Sequence, residues 1–144
     1  MKRSIQIVSV LIFAFLLSAC GSSLIIENVD FSQPLESVLS PDTDNVVVDQ
    51  RYALRFDLTE VLNREGVLSV SEIRLLRDRA GFYYLTAPGF GSVYQFIPEM
   101  NSLKLLNRIE IPGTALQEPA LNQRGTHIEL VDTANGRTFN LKEI

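Results

Sequence analysis

From Arg51 the side chains alternate: Tyr52, Leu54, Phe56 and Leu58 are apolar, while Arg51, Arg55, Asp57 and Thr59 are polar. A period of two sends alternate side chains to opposite faces of a pleated backbone, so this stretch is a predicted half-buried strand. Further runs rich in β-branched, aromatic and leucine side chains follow at 67–76, 82–87, 92–97, 103–111, 126–131 and 137–142. Turn chemistry separates them: Arg79-Ala80-Gly81, Pro88-Gly89-Phe90-Gly91, Pro98-Glu99-Met100-Asn101, Pro112-Gly113 and Ala134-Asn135-Gly136. Connections this short join antiparallel neighbours, so the expected fold is mainly β, an antiparallel hairpin meander forming a small sandwich, barrel or blade-like sheet.

Two segments carry a competing helical pattern. Ser71 to Gly81 has an N-cap serine, Glu72 in the first turn, late arginines and a closing glycine. Strand is preferred there, because Phe82-Tyr83-Tyr84-Leu85 follows at hairpin distance and 67–71 is poor helix sequence. Residues 59–65, ending before Gly66, suit a short helix. A weak repeat at an offset of 45 lays 83–96 over 128–141, matching Leu85 with Leu130, Gly91 with Gly136 and Tyr94 with Phe139. That period is blade-sized, but the chain is too short for a closed propeller, and two hairpins with shared turn grammar explain it better.

The first 20 residues follow different rules. Lys2 and Arg3 precede an apolar stretch, 5–17, interrupted only by Gln6 and Ser9, and Leu17-Ser18-Ala19-Cys20 ends it with the only cysteine of the chain. Thirteen residues are short for a membrane span, which needs about 20, and suit a secretory h-region. The segment resembles a bacterial lipoprotein signal, with Leu17-Ser18-Ala19-Cys20 as its lipobox. The resemblance implies a signal helix cleaved after Ala19, a diacylglyceryl group (with further acylation, palmitate for example) on Cys20, and attachment to the cell envelope. Gly21 in place of Asp after the cysteine favours the outer membrane where the cell has one. Two or three acyl chains, at about 0.8 kcal/mol per buried CH₂, hold a protein where one is marginal. The expected organisation is thus 1–19 signal peptide, 20–50 lipidated N-terminus with an approach segment, and 51–144 β domain.

Charge supports the division at residue 50. Removing Lys2 and Arg3 from 13 basic residues leaves 11 against 17 acidic ones, and the six excess acids, Glu27, Asp30, Glu36, Asp42, Asp44 and Asp49, all precede Arg51. An acidic approach that anionic headgroups repel would hold the domain off a membrane. Leu24, Ile25, Ile26, Val29 and Phe31 are too apolar for a pure tether, leaving Gly21-Ser22-Ser23 as linker and 40–45 as a loop. A net acidic, exported chain excludes nucleic acid as the expected partner. The lone cysteine leaves the processed chain without an intrachain disulfide.

No motif after Cys20 declares a reaction, and no catalytic residue, metal ligand or cofactor is expected. His127 shares a strand face with Glu129 and could act as a general base, yet no Gly-x-Ser-x-Gly or other nucleophile motif accompanies it. Asp42-Thr43-Asp44-Asn45 opens like a calcium loop but has Val47 where the glycine belongs and Ala53 where the final acid belongs. Gly89-Phe90-Gly91 lacks a third glycine and a following helix, so it reads as a turn. Six aromatic residues crowd 82–96. Phe90, between two glycines at an expected hairpin tip, is the candidate exposed contact for an envelope protein partner. Tyr83, Tyr84 and Tyr94 are candidate stacking surfaces for a glycan or small ligand. The anchor is testable directly: Cys20→Ser should move the protein from the membrane pellet to the soluble fraction, and continued pelleting would remove the lipid-anchor reading.

Overall fold

The computed structural model describes residues 36–142; the signal segment, Cys20, the Gly-Ser-Ser link and the apolar residues 24–31 lie outside the described residues. The fold is mainly β. A five-stranded antiparallel sheet has the order β1 (Ser37–Leu39), β4 (Ile73–Arg77), β5 (Tyr83–Thr86), β6 (Ser92–Glu99), β7 (Ser102–Glu110). A hairpin of β2 (Val46–Asp49) and β3 (Leu54–Asp57) forms a second sheet, and β8 (Pro119–Gln123), β9 (Ile128–Asp132) and β10 (Arg137–Asn140) form a third with β9 central. One short helix, α1 (Thr59–Glu65), follows β3. None of these sheets closes into a barrel.

The centre of the five-stranded sheet, β4, β5 and the first half of β6, is covered on both faces. Ile73, Leu75, Tyr83, Leu85 and Tyr94 pack with Val47, Leu58, Val61, Leu62 and Phe90, the side chains of the β2–β3 hairpin, α1 and the β5–β6 turn. Their neighbours in sequence, Leu76 and Val93, point the other way and join Ile109, Ile111, Leu116, Leu121, Ile128, Leu130 and Leu141 under the three-stranded sheet. Consecutive buried pairs such as Leu75-Leu76 and Val93-Tyr94 are the consequence, each partner serving a different core.

The helix 59–65 and the strand preferred within 71–81 are both present, with β4 starting at Ile73. The Asp57 carboxylate accepts the Thr59 N–H at 2.7 Å, and Gly66 closes α1 in the left-handed region at φ 70°. That cap carries over into Val67, whose N–H reaches Leu62 O at 3.1 Å, which takes residues 67–72 out of the expected strand. Three strands had no counterpart in the pattern: β1, β2 and β8. β8 opens on Pro119 at a sheet edge, where a missing N–H is tolerated. β2 and β3 pair across the charge step at Gln50–Arg51, so both sides of that step contribute strands.

The 45-residue offset reappears as geometry. Leu85 pairs with Tyr94 and Leu130 with Phe139, while Tyr84 pairs with Gln95 and Glu129 with Asn140. The two hairpins have the same register but lie in different sheets, so the likeness is one of hairpin construction.

Phe90 is a correction. Its ring is fully buried and meets Tyr94 edge-on at a centroid distance of 6.2 Å. The turn it occupies is not a free tip, because the 111–116 segment hydrogen-bonds along it: Gly89 N–H to Leu116 O at 2.7 Å, Leu116 N–H to Phe90 O at 2.8 Å and Ile111 N–H to Gly91 O at 2.9 Å. From the other side the Glu65 carboxylate accepts the Gly91 N–H at 2.6 Å. Tyr83 and Tyr94 are buried as well, which removes them as open stacking surfaces.

Buried carboxylates fasten the layers together. Glu65, with a side chain 3% exposed, ties the end of α1 to Gly91, to the Tyr94 hydroxyl at 2.5 Å and to Arg108 at 3.4 Å. Glu36 accepts the outward N–H of Leu121 on the β8 edge at 2.6 Å and pairs with Arg74 at 3.2 Å. Burial raises its pKa, opposed by the Leu121 amide and Arg74. Asp132, fully buried, accepts the N–H groups of Gln117 and Glu118, the Asn135 amide at 2.8 Å and Arg137 at 3.0 Å. Arg137 continues the connection to Pro112 O and Thr114 O, at 3.3 and 3.0 Å.

Two outcomes follow from this packing. Phe90→Ala should cost about 3–5 kcal/mol in chemical denaturation, the range for truncating a buried phenylalanine; a change near zero would restore Phe90 to the surface. For Asp132, burial works to raise the pKa, but the Glu118 amide, Arg137, the Gln117 amide and Asn135 outweigh it and bring the group to about 2. A depressed carboxylate stabilises the fold above its unfolded pKa and loses that contribution as pH falls through the folded value. The stability difference between the parent protein and Asp132→Asn should therefore hold above about pH 4 and shrink by about 2 kcal/mol as pH falls through about 2. A pH-independent difference would show that the charge of Asp132 contributes nothing.

Candidate functional site

On the second face of the five-stranded sheet the apolar set gives way to polar side chains at one end. The register places Leu76, Tyr84, Gln95 and Asn107 in a row across β4, β5, β6 and β7. Leu76 belongs to the core beneath the three-stranded sheet, whereas Tyr84, Gln95 and Asn107 line an open cleft of about 400 Å³. The β4–β5 turn adds Asp78, Arg79 and Phe82 to the lining, the β8–β9 turn adds Thr126 and His127, and Lys142 comes from the chain after β10.

Local structure explains how each group is held. Gly81 takes φ 95° in the β4–β5 turn, and the Asp78 carboxylate accepts the Phe82 N–H at 2.9 Å, fixing the turn that carries Arg79. Gln95 donates from Nε2 to the Tyr84 hydroxyl at 2.8 Å. Burial, followed by the charge of Asp78 and a hydrogen bond to it, pushes the Tyr84 phenol up to about 12, against the opposing Gln95 contact. Tyr84 therefore stays protonated at neutral pH while its hydroxyl accepts from Gln95.

Asn107 reaches the row through an irregularity. Gln95 pairs with Asn107 and Phe96 with Leu105, so β7 holds one extra residue, Leu106, which is unpaired and exposed. Without that bulge Leu105 and Asn107, two apart, would share a face; with it, Leu105 packs on the first core and Asn107 stands with Gln95 at the cleft.

Of the sequence candidates, the cleft gathers Tyr84 and His127. The Nδ1 of His127 lies 3.5 Å from Thr126 Oγ1, at the limit of a hydrogen bond. Among the described residues no group of three His, Cys, Asp or Glu side chains could hold a metal ion, and no helix is long and apolar enough to cross a membrane. Asp42 of the calcium-like loop instead accepts the N–H groups of Asp44 and Val46, at 2.9 and 2.8 Å, as a turn brace.

Gln95 and Asn107 escaped the sequence reading. The signal for Gln95 was present: in Val93-Tyr94-Gln95-Phe96 it is the polar member of an otherwise apolar run. Asn107 had no such signal, because simple alternation puts it on the same face as Leu105. A second concavity of about 640 Å³ lies over the first core between the β2–β3 and β6–β7 turns, walled by Phe56, Leu75, Leu85, Phe96 and Leu103. Arg55, Asp57, Glu60, Asn101 and Ser102 also line it.

Compared with family models, curated proteins and solved structures, the chain matches none of them.

Proposed function

We propose that this is a lipid-anchored cell-envelope protein whose β domain is a non-catalytic binding module for a glycan or another small polyhydroxylated ligand, seated in the cleft at Tyr84. The observation that carries the reading is the row Tyr84–Gln95–Asn107. A sheet face that otherwise buries leucine, valine and isoleucine presents side-chain donors and acceptors in register, one per strand, at the wall of a cleft, from half-buried Tyr84 and Gln95 to exposed Asn107. Polar groups at core-like positions cost stability unless partnered, so such a row is a departure from the folding pattern. Amide, phenol and aromatic groups in one concavity are the chemistry that recognises hydroxyls and the apolar faces of a sugar ring.

The lipobox resemblance supports the envelope location, where glycans abound. Contact with an envelope protein through Phe90 has lost its residue to the core, which is why the cleft is preferred. Amide chemical-shift mapping with a mixture of solubilised envelope glycans tests the assignment. Shifts should gather at Tyr84, Gln95, Asn107 and His127, and Asn107→Ala should weaken binding about 5- to 30-fold, the loss of one or two hydrogen bonds, with stability within about 0.5 kcal/mol of the parent. Shifts confined to the apolar concavity, or none, would overturn it.

A further inference from the structure

The row that crosses the cleft is graded from closed to open. Its first member, Leu76 on β4, is 1% exposed and packs with Leu121 and Ile128 beneath the three-stranded sheet. Tyr84 on β5 is half-buried and packs against that core, Gln95 on β6 is half-buried, and Asn107 on β7 is exposed. β7 is the outer strand of its sheet, and among the described residues no strand pairs with its far side, so the row runs off the sheet beyond Asn107. A ligand lying across the strands meets an apolar stop at β4 and none at β7.

The chemistry changes along the same line. The inner end offers the Tyr84 ring, whose face suits stacking on a sugar. Gln95 gives Nε2 to the Tyr84 hydroxyl at 2.8 Å, which holds its amide in place and leaves Oε1 as an acceptor. At the outer end the Asn107 amide has no hydrogen-bond partner among the described residues. Recognition thus combines shape and stacking at Tyr84 and reduces to hydrogen bonding at Asn107.

Spacing sets the number of units. Neighbouring strands stand about 4.8 Å apart, so the track from Tyr84 to Asn107, two strands removed, is about 10 Å long and perpendicular to the strands. An extended chain of pyranose rings advances by nearly one strand spacing per ring, which puts three consecutive rings over the three polar side chains.

Resting on the reading of the cleft as a glycan site, we infer that its ligand is the end of a linear glycan chain. The terminal unit sits at Tyr84 against the stop at Leu76, the second at Gln95 and the third at Asn107, and the rest of the chain leaves over the β7 edge. A module of this form recognises chain termini and passes over the interior of a polymer.

The experiment titrates the full chain in detergent with neutral linear oligosaccharides of two to six units, in β-linked glucose, galactose and N-acetylglucosamine series. Each is supplied free, capped with a bulky aromatic group at the reducing end, capped at the other end, and capped at both. Affinity should rise at least fivefold from two units to three and change less than twofold beyond four. One single cap should weaken binding at least tenfold, identifying the end that enters, and the double cap should do the same. Asn107→Ala, at an exposed position, should weaken binding of trimers about 5- to 30-fold and of dimers less than twofold. Doubly capped members binding as well as free ones, affinity that keeps rising to six units, or equal losses for dimers and trimers with Asn107→Ala would overturn the chain-end inference and leave the cleft as a glycan groove open at both ends. No binding by any member, or binding unaffected by Asn107→Ala at every length, would overturn the cleft reading and the inference with it.

Discussion

The constraint on which the rest of the structure depends is that the centre of the five-stranded sheet is covered on both faces. A single antiparallel sheet with one wet face needs one apolar set; this one needs two, supplied by alternate residues of the same strands and covered by different layers. The short helix and the β2–β3 hairpin cover one side, the three-stranded sheet the other. The aromatic crowding at 82–96 follows directly, because β5 and β6 lie near the middle of this sheet and feed both cores. Phe90 belongs to the same demand: it fills the first core where the chain passes between the strands.

Layers packed by apolar contact alone can slide, and here they are registered by carboxylates at their seams. Glu65 fixes α1 to the β5–β6 turn, Glu36 fixes β8 to the edge of β4, and Asp132 fixes the 112–118 segment to the β9–β10 turn. Each accepts at least one backbone N–H that no sheet partner could reach, and such charge-assisted bonds are stronger than neutral ones. Removing one would strand a buried amide, while Arg74 would keep Glu72 and Arg137 would keep Asn135 and the carbonyls of Pro112 and Thr114. The acidic excess before Arg51 thus has a structural share: Glu36 spans layers, Asp42 braces a turn, and Asp49 accepts the Arg51 N–H at 2.7 Å.

These relations set the limit on what the sequence discloses. Local signals were legible: the strand alternation, Gly66 closing α1, and the turn glycines between hairpins. The seams were not, since Glu36 meets Leu121 across 85 residues and nothing near either residue announces the other. β8 was obscured because it opens on proline and because its outer edge is held at Leu121 by a side chain, Glu36, instead of a strand. Phe90 misled for the same reason. Flanking glycines describe its own turn, while its burial is decided by Leu116 and Glu65, both distant in sequence.

The cleft is where the double-sided rule lapses. Moving along the second face, Val93 and Ile109 pair in the core and the next row holds Gln95 and Asn107. A folding demand alone would continue the apolar row or end the sheet. Instead β6 stays polar at Gln95, and β7 inserts Leu106 so that Asn107 comes to the same side. A bulge on an edge strand also twists that edge and, with Lys104 beside it, discourages pairing with another chain, so edge protection accounts for an irregularity somewhere in β7. It does not account for its position, one step from Gln95, or for the asparagine it re-aims. The coincidence of bulge and polar row at one end of one face is the strongest reason to regard that end as built for a ligand.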